Sequence, residues 1–107
     1  MRRLVGLAIL AALGTTAAQA QTARLSDGAY MQAARCVGLA SSGKLGATDG
    51  DAMKAWLKEQ SRLRDPYVLD KADRMQQEAK REANSAGEYG KAKLSAELSG
   101  PCAALKS

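Results

Sequence analysis

The side chains that most often carry chemistry are scarce in this sequence. It contains no histidine and only two cysteines, Cys36 and Cys102. Without histidine, acid–base catalysis near neutral pH requires a carboxylate or a lysine with a strongly shifted pKa. Asp73, Glu78 and Glu82 have a suitable type, but as many Lys and Arg residues surround them, which indicates a solvated helix face. The sequence therefore predicts a protein that is not an enzyme and that needs no cofactor.

A Gly- and Asp-rich loop, "SGKLGATDGD" at residues 42–51, suggests calcium or phosphate binding by composition. Counted from Asp49 as an EF-hand, the fifth and twelfth positions are Met53 and Gln60, which do not complete the ligand set. The Gly-Lys pair of the loop lacks the rest of a phosphate-binding motif. Two thiols without histidine are also too few for a metal site. We expect no metal ion.

The first 20 residues have the three parts of a secretory signal peptide. Arg2 and Arg3 are positive, residues 4–13 are apolar, and Ala18-Gln19-Ala20 is a small-x-small cleavage site. Ten apolar residues span only ~15 Å of helix, against roughly 30 Å for a bilayer core. The pattern predicts cleavage after residue 20 and export to the periplasm or the exterior, without a transmembrane segment.

The remaining residues, 21–107, are few enough for one small domain. Loss of Arg2 and Arg3 lowers the net charge from +5 to +3, which is too small an excess to indicate nucleic-acid binding. The chain has no Phe and one Trp, so its core must be thin. Domains of this size often need a covalent link between distant segments.

Cys36 and Cys102 are the natural candidates for such a link. Exported proteins meet an oxidising environment, and neither cysteine belongs to a Cys-x-x-Cys pair. We therefore predict a disulfide between them. In the chain-entropy model, closing so long a loop stabilises the folded state by roughly 4 kcal/mol.

Apolar spacing predicts an all-α fold, a small disulfide-stapled bundle of four helices followed by a short C-terminal helical turn. The predicted helices run from Ser26 or Asp27 to about Ser42, from about Asp49 to Arg64, from Pro66 to about Asn84, and from the Ser85–Glu88 capping pattern to about Ser99. Three helices are the alternative, with the third unbroken from Pro66 to Ser99.

Each predicted helix has an apolar face. The side chains assigned to these faces are Tyr30, Ala33, Ala34, Val37 and Ala40 in the first helix, Met53, Trp56, Leu57, Gln60 and Leu63 in the second, Val68, Ala72, Met75, Ala79 and Ala83 in the third, and Leu94 and Leu98 in the fourth, with Tyr89, Ala92 and Ala96 on a second face. Gly38 lowers the helix propensity of the first helix, which predicts a closely packed neighbour there.

Lys54, Lys58 and Arg62, here called the basic stripe, recur at steps of four on the polar side of the second helix. They form the candidate binding surface, with Glu59 as the one acidic residue near them; a solvated helix face is the alternative. The leading hypothesis is an exported, non-catalytic protein that binds another protein or an anionic envelope component. The alternative is a stress or chaperone-like protein, which would resemble, in architecture only, the small disulfide-bonded periplasmic helical proteins that open at low pH. A small enzyme using the carboxylates of the third helix ranks last.

Overall fold

The computed structural model describes residues 24–106, so the predicted signal peptide lies outside the described residues. This part of the chain is all-helical and contains no strand. The helices are α1 at Asp27–Ser41, α2 at Gly50–Gln60, α3 at Pro66–Ser85, α4 at Glu88–Glu97, a π-helical turn at Leu98–Cys102 and a last short α5 at Ala103–Leu105. The predicted all-α fold with four helices and a terminal turn is confirmed.

Helix α1 is the centre of the fold and packs mainly along α3. Its start is set by Ser26, whose hydroxyl accepts a hydrogen bond from the Ala29 N–H at 3.1 Å. After its end, Gly43 adopts a positive φ of 74°, a left-handed conformation that suits glycine. The predicted apolar face of α1 is buried over its whole length, and Cys36, Gly38 and Leu39 are buried as well.

The contact between α1 and α3 is made largely by small residues. Val68, Ala72, Ala79 and Ala83 of α3 are buried, as predicted, and allow the two helix backbones to approach closely. At Gly38 the approach is so close that an added Cβ would lie 2.2 Å from the Gln76 carbonyl oxygen. The close neighbour predicted at this glycine is therefore the backbone of α3.

Helix α2 buries Met53 and Leu57 but ends at Gln60, one turn earlier than predicted. The prediction that Leu63 belongs to its apolar face is wrong, because the side chain of Leu63 is 97% exposed. Helix α3 starts as predicted: Asp65 accepts a hydrogen bond from the Tyr67 N–H at 3.1 Å, and Pro66 takes the first helical position.

Ala86 and Gly87 separate α3 from α4, so the alternative with three helices is wrong. The predicted Ser85 cap is also wrong: Ser85 is the last residue of α3, and Gly87 precedes α4 without a side-chain cap. Helix α4 is covered on one side only, where Leu94 packs with Leu39, Ala79 and Ala83. Tyr89, Ala92 and Ala96, predicted to form a second covered face, are not buried.

The helix does not stop at Pro101 but widens into a π-helical turn. Proline lacks the N–H that an α-helical turn would use, and such widened turns accommodate a lost hydrogen bond. The turn carries Cys102 to Cys36, with which it forms the predicted disulfide at a Cα–Cα distance of 5.7 Å. The bond therefore ties the C-terminal turn to the middle of α1.

Candidate functional site

The basic stripe lies on the exposed surface, but only two of its members belong to a helix. Lys54 and Lys58 are exposed residues of α2, whereas Arg62 lies in the turn that follows. The Arg62 backbone carbonyl accepts a hydrogen bond from the guanidinium of Arg24, which brings a fourth cation to this end of the molecule. Sequence analysis did not single out Arg24.

The turn that follows α2 contains an unusual apolar residue. Leu63 has a φ of 61°, and it is the one non-glycine residue between 24 and 106 with a positive φ. Its side chain is almost fully exposed, and Tyr67, four residues further on, is 66% exposed. We call Leu63 and Tyr67 the apolar tip. Leu63 and Tyr67 are thus two exposed apolar side chains in the segment that follows the basic stripe.

Arg64, which directly follows Leu63, points the opposite way and is buried. Its guanidinium donates hydrogen bonds to the Asp27 carboxylate at 2.7 Å, to the Leu25 carbonyl at 2.8 Å and to the Gln60 carbonyl at 2.6 Å. The same group lies 4.4 Å from the centre of the Tyr30 ring. Arg64 thus joins the start of α1 to the end of α2, a role that sequence analysis missed.

The environment of Arg64 also affects Tyr30. Burial raises the pKa of the Tyr30 hydroxyl above its ordinary value, and the positive charge of Arg64 partly opposes that rise. A more distant carboxylate, Asp73, raises the pKa further. Tyr30 is therefore neutral over the physiological range and acts as a packing surface for the guanidinium.

A second arginine, Arg35, connects α1 to α3 and α4. It donates two hydrogen bonds to the Glu97 carboxylate, at 2.6 and 2.9 Å, and one to Glu82 at 3.0 Å. The hydrogen bond to Glu97 raises the already high pKa of Arg35, so its charge is permanent. Because Glu82 is engaged in this way, one of the three carboxylates considered for acid–base chemistry has a structural partner.

Arg35, Glu82 and Glu97, here called the Arg35 cluster, line an open groove of about 510 Å³ between α4 and the end of α3. Tyr89 and Lys93 form its outer wall, with the Lys93 ammonium 5.8 Å from the centre of the Tyr89 ring. Two cations, Arg35 and Lys93, and two carboxylates, Glu82 and Glu97, line this groove, so it does not favour a ligand of either charge. The basic stripe is the more distinctive surface.

The structure also bears on free thiols, metal binding and membrane spanning. Both cysteines are joined in the disulfide, so the chain has no free thiol. Among the described residues, no group of three or more His, Cys, Asp or Glu side chains is placed to hold a metal ion. Over the same residues, no helix is both long and apolar enough to cross a membrane.

Comparison of the chain with protein-family models, with curated proteins and with solved structures finds no significant match. The class of protein is therefore the one that the fold defines, a small all-α domain with one disulfide.

Proposed function

We propose that this chain is an exported, non-catalytic protein that binds an anionic component of the cell envelope through the basic stripe. The observation that carries the proposal is the state of these three cations. Lys54, Lys58 and Arg62 are all exposed, and within residues 24–106 none of their side chains forms an ion pair. Their charge is therefore available to an external partner.

Three of the other arginines provide a contrast. Arg35, Arg64 and Arg74 each contact a carboxylate within 3.4 Å. The members of the basic stripe make no such contact within residues 24–106, a state they share with the exposed Lys80 and Arg81 of α3. Unpaired cations on one surface attract anionic partners over about 8 Å at physiological ionic strength.

Export and the absence of catalysis belong to the same proposal. A disulfide that closes most of the domain is typical of proteins in oxidising compartments, which supports export. The lack of histidine and the pairing of Glu82 with Arg35 support a role in binding rather than catalysis. The signal-peptide pattern of residues 1–20 predicts that the intact mass of the exported protein matches a chain that begins at Gln21.

The test is charge reversal. We expect Lys58→Glu, Arg62→Glu to weaken binding of the exported protein to beads coated with polyglutamate and to vesicles containing an anionic lipid. Each cation near an anionic membrane contributes ~1 kcal/mol, so losing two weakens binding by roughly 30-fold or more. Binding of the wild type should also fall as salt is added.

A matched control changes the net charge by the same amount on another helix. Lys80→Glu, Arg81→Glu reverses two exposed cations of α3 and should leave most of the binding intact. Both variants should unfold like the wild type, because exposed charges contribute little to stability. Equal binding by both reversed variants would contradict a role for the basic stripe.

A chaperone-like stress protein is the second candidate, and the attachment of α4 favours it. This helix buries a single side chain, Leu94, and its Glu97 contacts α1 through Arg35. Release of α4 would expose the apolar residues beneath it. We expect an apolar dye to bind the acidified protein if this candidate is correct, and unchanged dye fluorescence during acidification would exclude it.

A further inference from the structure

The backbone of Leu63 is unfavourable for a leucine. A φ of 61° brings the Cβ atom close to the backbone, and bulky residues adopt this conformation rarely. Leu63 gains no packing in return, since 97% of its surface is exposed. Glycine would occupy the same turn without strain. The leucine side chain therefore contributes nothing to the folded domain alone, which suggests a contact outside it.

The surroundings of Leu63 indicate the chemistry of that contact. Tyr67 adds a second exposed apolar surface with a polar end. Arg62 directly precedes Leu63, its carbonyl binds Arg24, and Lys58 lies on the last turn of α2. The exposed cations here, Arg24, Lys58 and Arg62, outnumber the exposed carboxylates Glu59 and Asp65. An apolar tip with this excess of positive charge matches an anionic surface with an apolar interior.

We infer that the apolar tip attaches the protein to the surface of an anionic lipid bilayer. Leu63 enters the acyl boundary, Tyr67 lies at the level of the headgroups, and the basic stripe contacts their phosphates. The inference rests on the proposed function, since it names the anionic component that the basic stripe binds.

The shape of the tip favours a bilayer over an acidic protein. A specific protein interface needs about 1,000 Å² of buried area and good shape complementarity. A single leucine protruding from a turn offers little area to a rigid partner. A fluid bilayer adapts to a single inserted side chain, and an apolar group combined with basic residues attaches more strongly than either does alone.

The test uses the protein purified in its exported form, with its intact mass measured first, because a retained apolar leader would bind lipid by itself. Sedimentation with vesicles of neutral phosphatidylcholine is compared with sedimentation with vesicles that also contain anionic phosphatidylglycerol. We expect wild-type protein to bind only the anionic vesicles. Leu63→Gly should bind them about 10-fold more weakly or worse, because burial of one leucine side chain is lost.

Two features make this experiment specific. Leu63→Gly relieves the backbone of the turn, so its urea midpoint should equal or exceed that of the wild type, which excludes unfolding as the cause of weaker binding. Tyr89→Ala is the matched control for Tyr67→Ala, because Tyr89 is 79% exposed on α4, a helix that carries no member of the basic stripe. We expect Tyr67→Ala to weaken binding and Tyr89→Ala to leave it unchanged.

Each result has a defined meaning. If Leu63→Gly binds anionic vesicles as well as the wild type while Lys58→Glu, Arg62→Glu does not, lipid insertion is wrong and the proposed function stands. Wild-type binding to polyglutamate beads but not to vesicles would overturn the inference in favour of an acidic protein. Binding to neither would overturn both proposals.

Discussion

Gly38→Ala is expected to destabilise the protein, because it disturbs the contact between α1 and α3. The added Cβ would lie 2.2 Å from the Gln76 carbonyl oxygen and 2.9 Å from the Ala79 Cβ, whereas ordinary contacts begin at 3.4 Å. The two helices must then separate by about 1 Å at this point. Gln76 contributes a backbone atom, so the clash cannot be relieved by turning a side chain.

The size of the effect follows from two opposing contributions. Overpacking a tight core costs about 1–3 kcal/mol, and a contact between backbones belongs at the upper end. Alanine gains up to about 1 kcal/mol over glycine in a helix. We therefore expect a net loss of about 2 kcal/mol from a domain whose total stability is on the order of 5 kcal/mol.

Urea unfolding followed by circular dichroism measures this loss. With a slope of about 1 kcal/mol per molar urea, the midpoint should fall by about 2 M. The control is Gly28→Ala in the first turn of the same helix, where the added Cβ meets nothing within 4 Å. That variant should be as stable as the wild type or slightly more so. Coincident unfolding curves for the two variants would refute the close approach of α1 and α3.

Three further predictions concern the disulfide, the buried arginine and the buried tyrosine. The double variant Cys36→Ser, Cys102→Ser should lose about 4 kcal/mol, measured by urea unfolding, and thiol titration of the unfolded, unreduced wild type should detect no free thiol. Arg64→Ala should lose about 2–4 kcal/mol because it leaves the partly buried carbonyls of Leu25 and Gln60 without this donor, whereas Arg74→Ala, which removes an exposed pair, should change stability by less than about 1 kcal/mol. The pKa of Tyr30 is raised above its ordinary value, so the stability that Tyr30 contributes is present below about pH 10 and is lost as the pH rises through the raised pKa. An absorbance titration of tyrosine ionisation should show a late-ionising tyrosine in the wild type that is missing from Tyr30→Phe.

Close helix contacts at Gly38 and along the alanine face of α3 could be predicted from the sequence, whereas the pairing of α1 with α3 was not predicted. Small residues at helical spacing in both segments indicate a close contact, and Gly38 marks its tightest point. The disulfide could be predicted for a different reason, since only one pairing of two cysteines exists. Neither prediction required knowledge of how the helices are arranged in three dimensions.

The Arg35 cluster could not be predicted in the same way. Arg35 contacts Glu97 and Glu82, which are 62 and 47 residues away in the chain. Many carboxylates lie at comparable distances in the sequence, and helical periodicity does not choose among them. The contact follows from the arrangement of three helices, which local patterns do not specify.

The turn after α2 shows why helical periodicity predicted the wrong positions for Arg62 and Leu63. Continued helix would have buried Leu63, which is worth about 1.5–3 kcal/mol. Instead the chain turns at Leu63 and buries Arg64, whose guanidinium donates to Asp27, Leu25 and Gln60. Hydrogen bonds of a charged group contribute about 1.5–3 kcal/mol each, and the desolvation cost of burying the guanidinium offsets part of this gain. The exposure of Leu63, on which the proposed membrane attachment depends, accompanies the burial of Arg64 in this turn.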